Sequence, residues 1–354
     1  MAHSKLALLG LLVAGCHATG PDGAEPIAKG DRHFGIHVTQ ASDNDYLRAF
    51  QAARATGMDM LPLALSWTEV ETPSGWDFAT LDLIASFFGS HGLPLFLTIT
   101  SPINTIVATV PSAYQGMAYD DPRLIAGFNR LLDSVRVHLS NVRIDVLILG
   151  NEIDATLGTD PGAWARYQAF FEATAARARQ LWGQTLVGAT ITRDGLDLPG
   201  VGAAVDRLIA ASDLASLTYY PLATDLSVRS PTVAADDVAH VVGRIVDRPI
   251  YFQEVGYPTS PMLGSSEDMQ RQFATEVFKA WDRYPTRIKY FGWLWLTDLS
   301  AQQTDDLIRY YGLGGSPLTV KFGEYLRTLG LRRYDGAGKS AYATVTELLQ
   351  ARGW

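Results

Sequence analysis

Short apolar runs and longer amphipathic stretches alternate along the chain from Phe34 onward. Eight runs are short and almost continuously apolar: Phe34 to Val38, Met60 to Ser66, Pro94 to Thr100, Ile144 to Gly150, Thr185 to Thr190, Leu214 to Tyr220, Pro249 to Glu254 and Ile288 to Trp295. Strands buried on both faces of a parallel sheet have this character. Helical periodicity fills the intervals. Tyr46, Leu47, Phe50 and Ala53 share one face, as do Leu124, Phe128, Leu131, Leu132 and Val135. Trp164 to Trp182 and Glu267 to Trp281 behave likewise. The pairs Asp121-Pro122 and Asp160-Pro161 mark helix starts, because Asp caps free backbone N–H groups and Pro fits the first turn. Strand–helix alternation repeated eight times predicts a closed parallel barrel or a long open sheet. An open nucleotide-binding sheet would carry a glycine-rich turn after its first strand. The turn here, His37-Val38-Thr39-Gln40-Ala41-Ser42, has no glycine. The expectation is an α/β fold with one (β/α)8 TIM barrel over residues 31–354, ending in a helical tail.

The N-terminus follows a different pattern. Lys5 precedes an apolar run from Leu6 to Ala14, too short to span a bilayer but suited to a signal-peptide core. It ends in Val13-Ala14-Gly15-Cys16, which resembles the lipobox of bacterial lipoproteins. That resemblance implies a signal peptide over 1–16, a lipid on Cys16, and export to a periplasmic or cell-surface face of a bacterial membrane. Residues 17–30 are rich in Gly, Pro, Ala and polar groups and read as a flexible tether. Cys16 is the only cysteine, so an internal disulfide is excluded. A formal net charge of -8 argues against a nucleic-acid partner, since phosphate binding needs a basic face.

The chemistry is expected at the C-terminal ends of the barrel strands. The fourth ends in Leu149-Gly150-Asn151-Glu152 and the seventh in Phe252-Gln253-Glu254-Val255-Gly256-Tyr257-Pro258. A carboxylate at the end of an apolar strand is unfavourable unless it is paired or used. Two of them facing across a barrel mouth suit glycosidic bond cleavage, where one protonates the leaving oxygen and the other attacks the anomeric carbon or activates water.

These residues resemble the clan of (β/α)8-barrel retaining glycoside hydrolases with catalytic glutamates on strands four and seven. The resemblance implies Glu152 as acid/base, Asn151 as a ligand of the sugar 2-hydroxyl, and Glu254 as nucleophile. It implies a tyrosine of strand six, taken as Tyr220, bonded to that nucleophile. It further implies a tryptophan floor at the end of strand eight. Trp293 and Trp295 are both placed for that, on one face, so that one can be core and the other floor. Within the clan, Gly150-Asn151-Glu152, Tyr219-Tyr220-Pro221 and Glu254-Val255-Gly256-Tyr257-Pro258 resemble glycoside hydrolase family 53, the endo-β-1,4-galactanases. That likeness points to β-1,4-galactan or arabinogalactan. Leu222 stands where that family carries a tryptophan, and Thr98 to Asn104 lacks the family's histidine.

Trp67, Trp76, Tyr114, Tyr119 and Tyr257 are expected in loops on the same side, free to stack on sugar, and His37 at the end of strand one lines the site. If the carboxyls lie about 5 Å apart, cleavage proceeds by double displacement. Glu152 must then start protonated, its pKa raised, while Glu254 stays ionised. No cofactor and no metal site are expected: His33 and His37 would lie roughly 13 Å apart on a strand. The expected partners are an oligo- or polysaccharide substrate and, through Cys16, a membrane, with the protein a monomer. The alternatives are an inactive glycan-binding lipoprotein on the same scaffold and a transglycosylase.

Overall fold

The computed structural model describes residues 25–315 and 318–354. The signal segment, Cys16 and most of the tether lie outside the described residues. The eight barrel strands are β1 (His33–Ile36), β2 (Leu61–Leu65), β3 (Leu95–Asn104), β4 (Ile144–Asn151), β5 (Leu186–Gly188 and Thr190–Thr192), β6 (Ala215–Tyr219), β7 (Ile250–Val255) and β8 (Ile288–Trp293). Every one of them pairs in parallel with at least one barrel neighbour. Strand β5 is broken at Ala189; its first piece pairs with β4 and its second with β6. The β1–β2 seam is closed by the Phe34 carbonyl, which accepts from the Asp59 and Met60 amides. The eight strands therefore follow one another round a ring, as the alternation predicts. Short antiparallel ribbons, Glu71–Thr72 with Gly75–Trp76 and Val107–Ala108 with the end of β3, decorate the upper rim.

The ring interior is packed with side chains. Phe96, Tyr251 and Tyr290 form an aromatic stack there, with Phe96 and Tyr290 centroids 4.7 Å apart, flanked by Met60, Val146, Ile148 and Leu214. Truncating such a ring removes buried area and leaves a hole, which costs about 3–5 kcal/mol.

The helices are α1 (Tyr46–Ala55), α2 (Ala79–Phe88), α3 (Pro122–His138), the short α4 (Asp154–Leu157), α5 (Pro161–Leu181), α6 (Gly202–Ala211), α7 (Ala234–Arg244), α8 (Glu267–Arg283), α9 (Ala301–Tyr310), α10 (Thr319–Arg327) and α11 (Ser340–Gln350). The Asp-Pro starts are real caps: Asp121 accepts from the Arg123 amide and Asp160 from the Gly162 amide. The predicted tail helix is α11, which packs on α8. No helix among the described residues is long and apolar enough to cross a membrane.

Residues 27–29, expected within the tether, are fastened to the barrel floor. Buried Arg32 donates to the carbonyls of Ile27, Ala28 and Lys29 and to Asp282, and its guanidinium lies 4.9 Å from the Trp281 ring centre. Arg352 shares Asp282, and the Lys29 amide donates to the Arg352 carbonyl, so both ends of the described chain are tied together. The largest addition is the pair α9 and α10 between β8 and the tail, standing over the C-terminal rim.

Candidate active site

The C-terminal rim encloses a cavity of about 530 Å³. Much of its polar lining comes from strand ends: His37 after β1, Asn104 of β3, Asn151 of β4 and Glu152 just after it, Tyr220 after β6, Gln253 and Glu254 of β7. Trp295 lies just beyond β8.

Backbone irregularities aim the two glutamates. Gly150 has φ +88°, and a Cβ there would meet the Tyr167 hydroxyl at 2.3 Å, so only glycine fits this bend. Glu152 itself has φ +46°, uncommon for a residue with a side chain. Strand β7 carries a bulge. Leu217 pairs with Phe252, but the next residue, Thr218, pairs with Glu254, leaving Gln253 as the extra residue. A bulge re-aims side chains. Here it lets neighbouring residues both reach the cavity, where strict alternation would have sent one outward.

Each carboxylate is then held by hydroxyl groups. Glu152 accepts from Thr105 at 2.7 Å and from Thr218 at 2.6 Å. Glu254 accepts from Tyr220 at 2.7 Å and from the Gln253 amide at 3.4 Å. The hydroxyls are backed in turn. Tyr311 is hydrogen-bonded to Thr105, and Tyr325 to Tyr220. Both backing tyrosines belong to the α9–α10 unit.

Gln253 is the buried hub below. Its amide donates to the Asn151 side-chain oxygen at 2.9 Å, and its own oxygen accepts from Thr190 and, at 3.4 Å, from Ser216. The Asn151 amide donates to Asn104 at 3.1 Å. Asn151 is thereby fixed on both sides.

Burial raises the pKa of Glu254 above the ordinary carboxyl value of 4.5, and the nearby charge of Glu152 raises it further. Tyr220 and Gln253 pull the other way, since their hydrogen bonds favour the ionised form. Glu254, expected to stay ionised, is thus a carboxyl whose pKa is raised. Desolvation also drives the Tyr220 phenol well above its usual value, so it remains a donor. His37 is pushed down to about 4 by burial. Its ring donates to the Gln253 carbonyl, and Nε2 is buried with no partner. The imidazole is neutral, with Nε2 buried behind the part of the ring that lines the cavity.

Three expected site residues are elsewhere. Trp293 is buried, donates to the Leu329 carbonyl at 3.3 Å and packs on Phe273, so it is the core member of its pair. Trp295 alone lines the cavity, donating to the Leu326 carbonyl at 3.0 Å. Trp67 lies in a buried turn, stacked on Tyr114 at 4.7 Å, with its ring nitrogen on Glu71. Tyr257 is buried against Phe273 and donates to the Arg229 carbonyl at 2.6 Å. Each of these three rings has its polar atom satisfied by protein, leaving nothing for a sugar. Thr105, Thr218, Gln253, Tyr311 and Tyr325 were not foreseen from sequence. Thr218 was within reach of sequence reasoning, because it lies two residues before Tyr220 on the same strand face.

No family model and no curated protein matches the chain. Solved structures do. GH5_18 from Streptomyces cattleya in complex with GlcNAc aligns with TM-score 0.70 and 16% identity, over 93% of this chain and 82% of that one. The GH53 catalytic domain from Ignisphaera aggregans aligns with TM-score 0.62 and 15% identity, over 91% of this chain and 92% of that one. The exo-beta-1,4-mannosidase Op5Man5 from Opitutaceae bacterium strain TAV5 gives TM-score 0.68 and 17% identity, over 94% of this chain and 60% of that one. These likenesses establish the (β/α)8 fold for this chain.

Proposed function

We propose that the protein is a retaining glycoside hydrolase acting on β-linked glycans, with Glu152 as acid/base and Glu254 as nucleophile. The observation that carries this reading is the carboxylate pair at the ends of β4 and β7, each member held by a hydroxyl from β6. Such a pair can protonate a leaving oxygen from one side and attack the anomeric carbon from the other.

The proton of two interacting carboxyls belongs to the pair. What biases it is the kind of partner each has. Thr105 and Thr218 can accept as well as donate, so they serve Glu152 in either protonation state. The Gln253 amide can only donate, and so serves Glu254 best as an anion. With the proton on Glu152, the leaving oxygen takes it as the Glu254 carboxylate bonds to the anomeric carbon and the glycosidic bond breaks. Water, deprotonated by Glu152, then releases the sugar and restores both groups. Asn151, fixed by Gln253 and Asn104, is placed to bind a hydroxyl beside the reacting carbon, and Trp295 to floor the ring.

The test is release of reducing sugar from a panel of β-glycans including β-1,4-galactan, beside Glu254→Gln. Release by the wild type, reduced by about four orders of magnitude or more in the variant, supports the reading. Saturable binding without release favours a glycan-binding protein instead. The lipid anchor on Cys16 is likewise proposed from its sequence context. Cys16→Ala should then move the protein from the membrane fraction to the soluble one.

A further inference from the structure

The α9–α10 unit is not needed to close the barrel, yet it reaches both carboxylates. Tyr310 accepts from Asn104 at 2.9 Å, next to the Thr105 that holds Glu152. Tyr325 sits edge-on to Tyr220 at 5.4 Å, the residue that holds Glu254. Between them the rings run without a break. Tyr310 and Tyr311 are 5.1 Å apart, Tyr311 and Phe322 5.7 Å, Phe322 and Tyr325 6.0 Å. The unit is also fastened to the floor, through the Trp295 ring nitrogen on the Leu326 carbonyl and the Leu299 amide on the Arg327 carbonyl.

A wall that crosses from one carboxylate to the other lies across the site rather than along one flank. The cavity it bounds, about 530 Å³, is of the size that holds a small ligand. Its attachments at Trp295 and Tyr220 put the blocked end beside Glu254, where the sugar under attack would sit. The charges are one-sided. Among the described lining residues there is no Lys or Arg, while Glu69, Glu152 and Glu254 are all acidic.

We infer that this cavity is a chain-end pocket: it takes the neutral, non-reducing terminal sugar of a β-linked glycan, and the α9–α10 wall excludes chain interiors and uronic acids. This rests on the glycosidase reading for cleavage, but not for binding. An acidic sugar would bring another negative charge beside these glutamates with no cation among the described lining residues to meet it, which like-charge repulsion disfavours.

Three measurements test the inference. Neutral β-linked pentasaccharides, labelled at the reducing end, should yield free monosaccharide and labelled tetrasaccharide first; labelled di- or trisaccharide appearing first overturns it. Aryl β-glycosides of neutral hexoses should be cleaved with kcat/KM at least about a hundredfold above the aryl β-glucuronide; equal rates overturn the charge argument. Saturation-transfer NMR on Glu254→Gln with the unlabelled pentasaccharide should place the strongest contacts on the non-reducing terminal residue, and even saturation along the chain overturns the pocket. If the wild type cleaves nothing while the terminal residue is bound, the hydrolase reading fails and the chain-end pocket stands. Neither cleavage nor binding of any neutral oligosaccharide overturns both.

Discussion

Thr218 and Tyr220 stand two residues apart on β6 and its end and hold different carboxylates, Thr218 donating to Glu152 at 2.6 Å and Tyr220 to Glu254 at 2.7 Å. Side chains two apart on a strand share a face, with backbones about 6.6 Å apart. One stiff segment therefore sets both distances, and the spacing of the two glutamates is inherited from backbone geometry rather than from flexible side chains. Glu152 and Glu254 are close enough for one to raise the pKa of the other.

Tyr220→Phe removes a donor that favours ionised Glu254. The carboxyl pKa then rises further. Since a nucleophile must be ionised, the acidic limb of the kcat/KM profile should move to higher pH. Below that limb activity should fall about 10- to 100-fold, the worth of a hydrogen bond to a charged group. A pH–rate profile on a cleaved aryl glycoside checks this; a uniform loss with the limb unmoved refutes it.

The same carboxyl should weaken the fold at high pH. Glu254 binds its proton more tightly folded than unfolded, where its pKa is 4.5. Its contribution is therefore complete below the unfolded value and is lost as pH rises through the folded one. Gln cannot titrate. Glu254→Gln should unfold at a higher temperature than the wild type at about pH 9, and at nearly the same temperature relative to it near pH 4 once solvation differences are set aside. Thermal melts across that range decide it. A stability gap that does not widen with pH removes the titration argument.

His37 is neutral across the working range, being pushed down to about 4 by burial. His37→Leu should lower kcat/KM about 10- to 100-fold by removing a cavity-lining ring that is hydrogen-bonded to the Gln253 carbonyl. The shape of the pH profile between about pH 5 and pH 9 should stay the same. Disappearance of a limb near neutrality would instead make the imidazole a proton carrier.

Gly150→Ala places a Cβ 2.3 Å from the Tyr167 hydroxyl at a residue with φ +88°. Both effects destabilise, by about 2 kcal/mol or more together. Tyr167→Phe in the same chain should recover only a small part of this, because it removes the closest contact but leaves the Ile153 methyl at 2.9 Å and the φ penalty, and it takes the donor from the Leu149 carbonyl. Urea unfolding of the single and double variants measures it.

The barrel was legible because its strands are nearly unbroken apolar runs. Glu152 and Glu254 stood out as carboxylates ending such runs, whereas Asn151 and Tyr220 were singled out only by the resemblance to a known clan. What alternation could not show was where it stops. Trp293 and Trp295 were placed on one face, but β8 ends at Trp293 and the chain turns there, so only Trp295 reaches the cavity. Gln253 was hidden because a bulge leaves no mark in the hydrophobic pattern. The α9–α10 wall did leave one. Ser300 and Gln303 form a capping box, and Leu307, Tyr310 and Tyr311 follow at helical spacing. Their contact with the C-terminal rim of the barrel depends on long-range packing that the sequence does not display.

The most direct measurement is intact and peptide mass spectrometry of Glu152→Gln mixed with an aryl β-glycoside whose leaving group needs no protonation. Glu254 can still attack, but the second step lacks its base, so the sugar should accumulate as an ester on the peptide containing Glu254. An adduct there supports both assigned roles together. Turnover without any adduct, or a sugar carried on another residue, contradicts the double-displacement account.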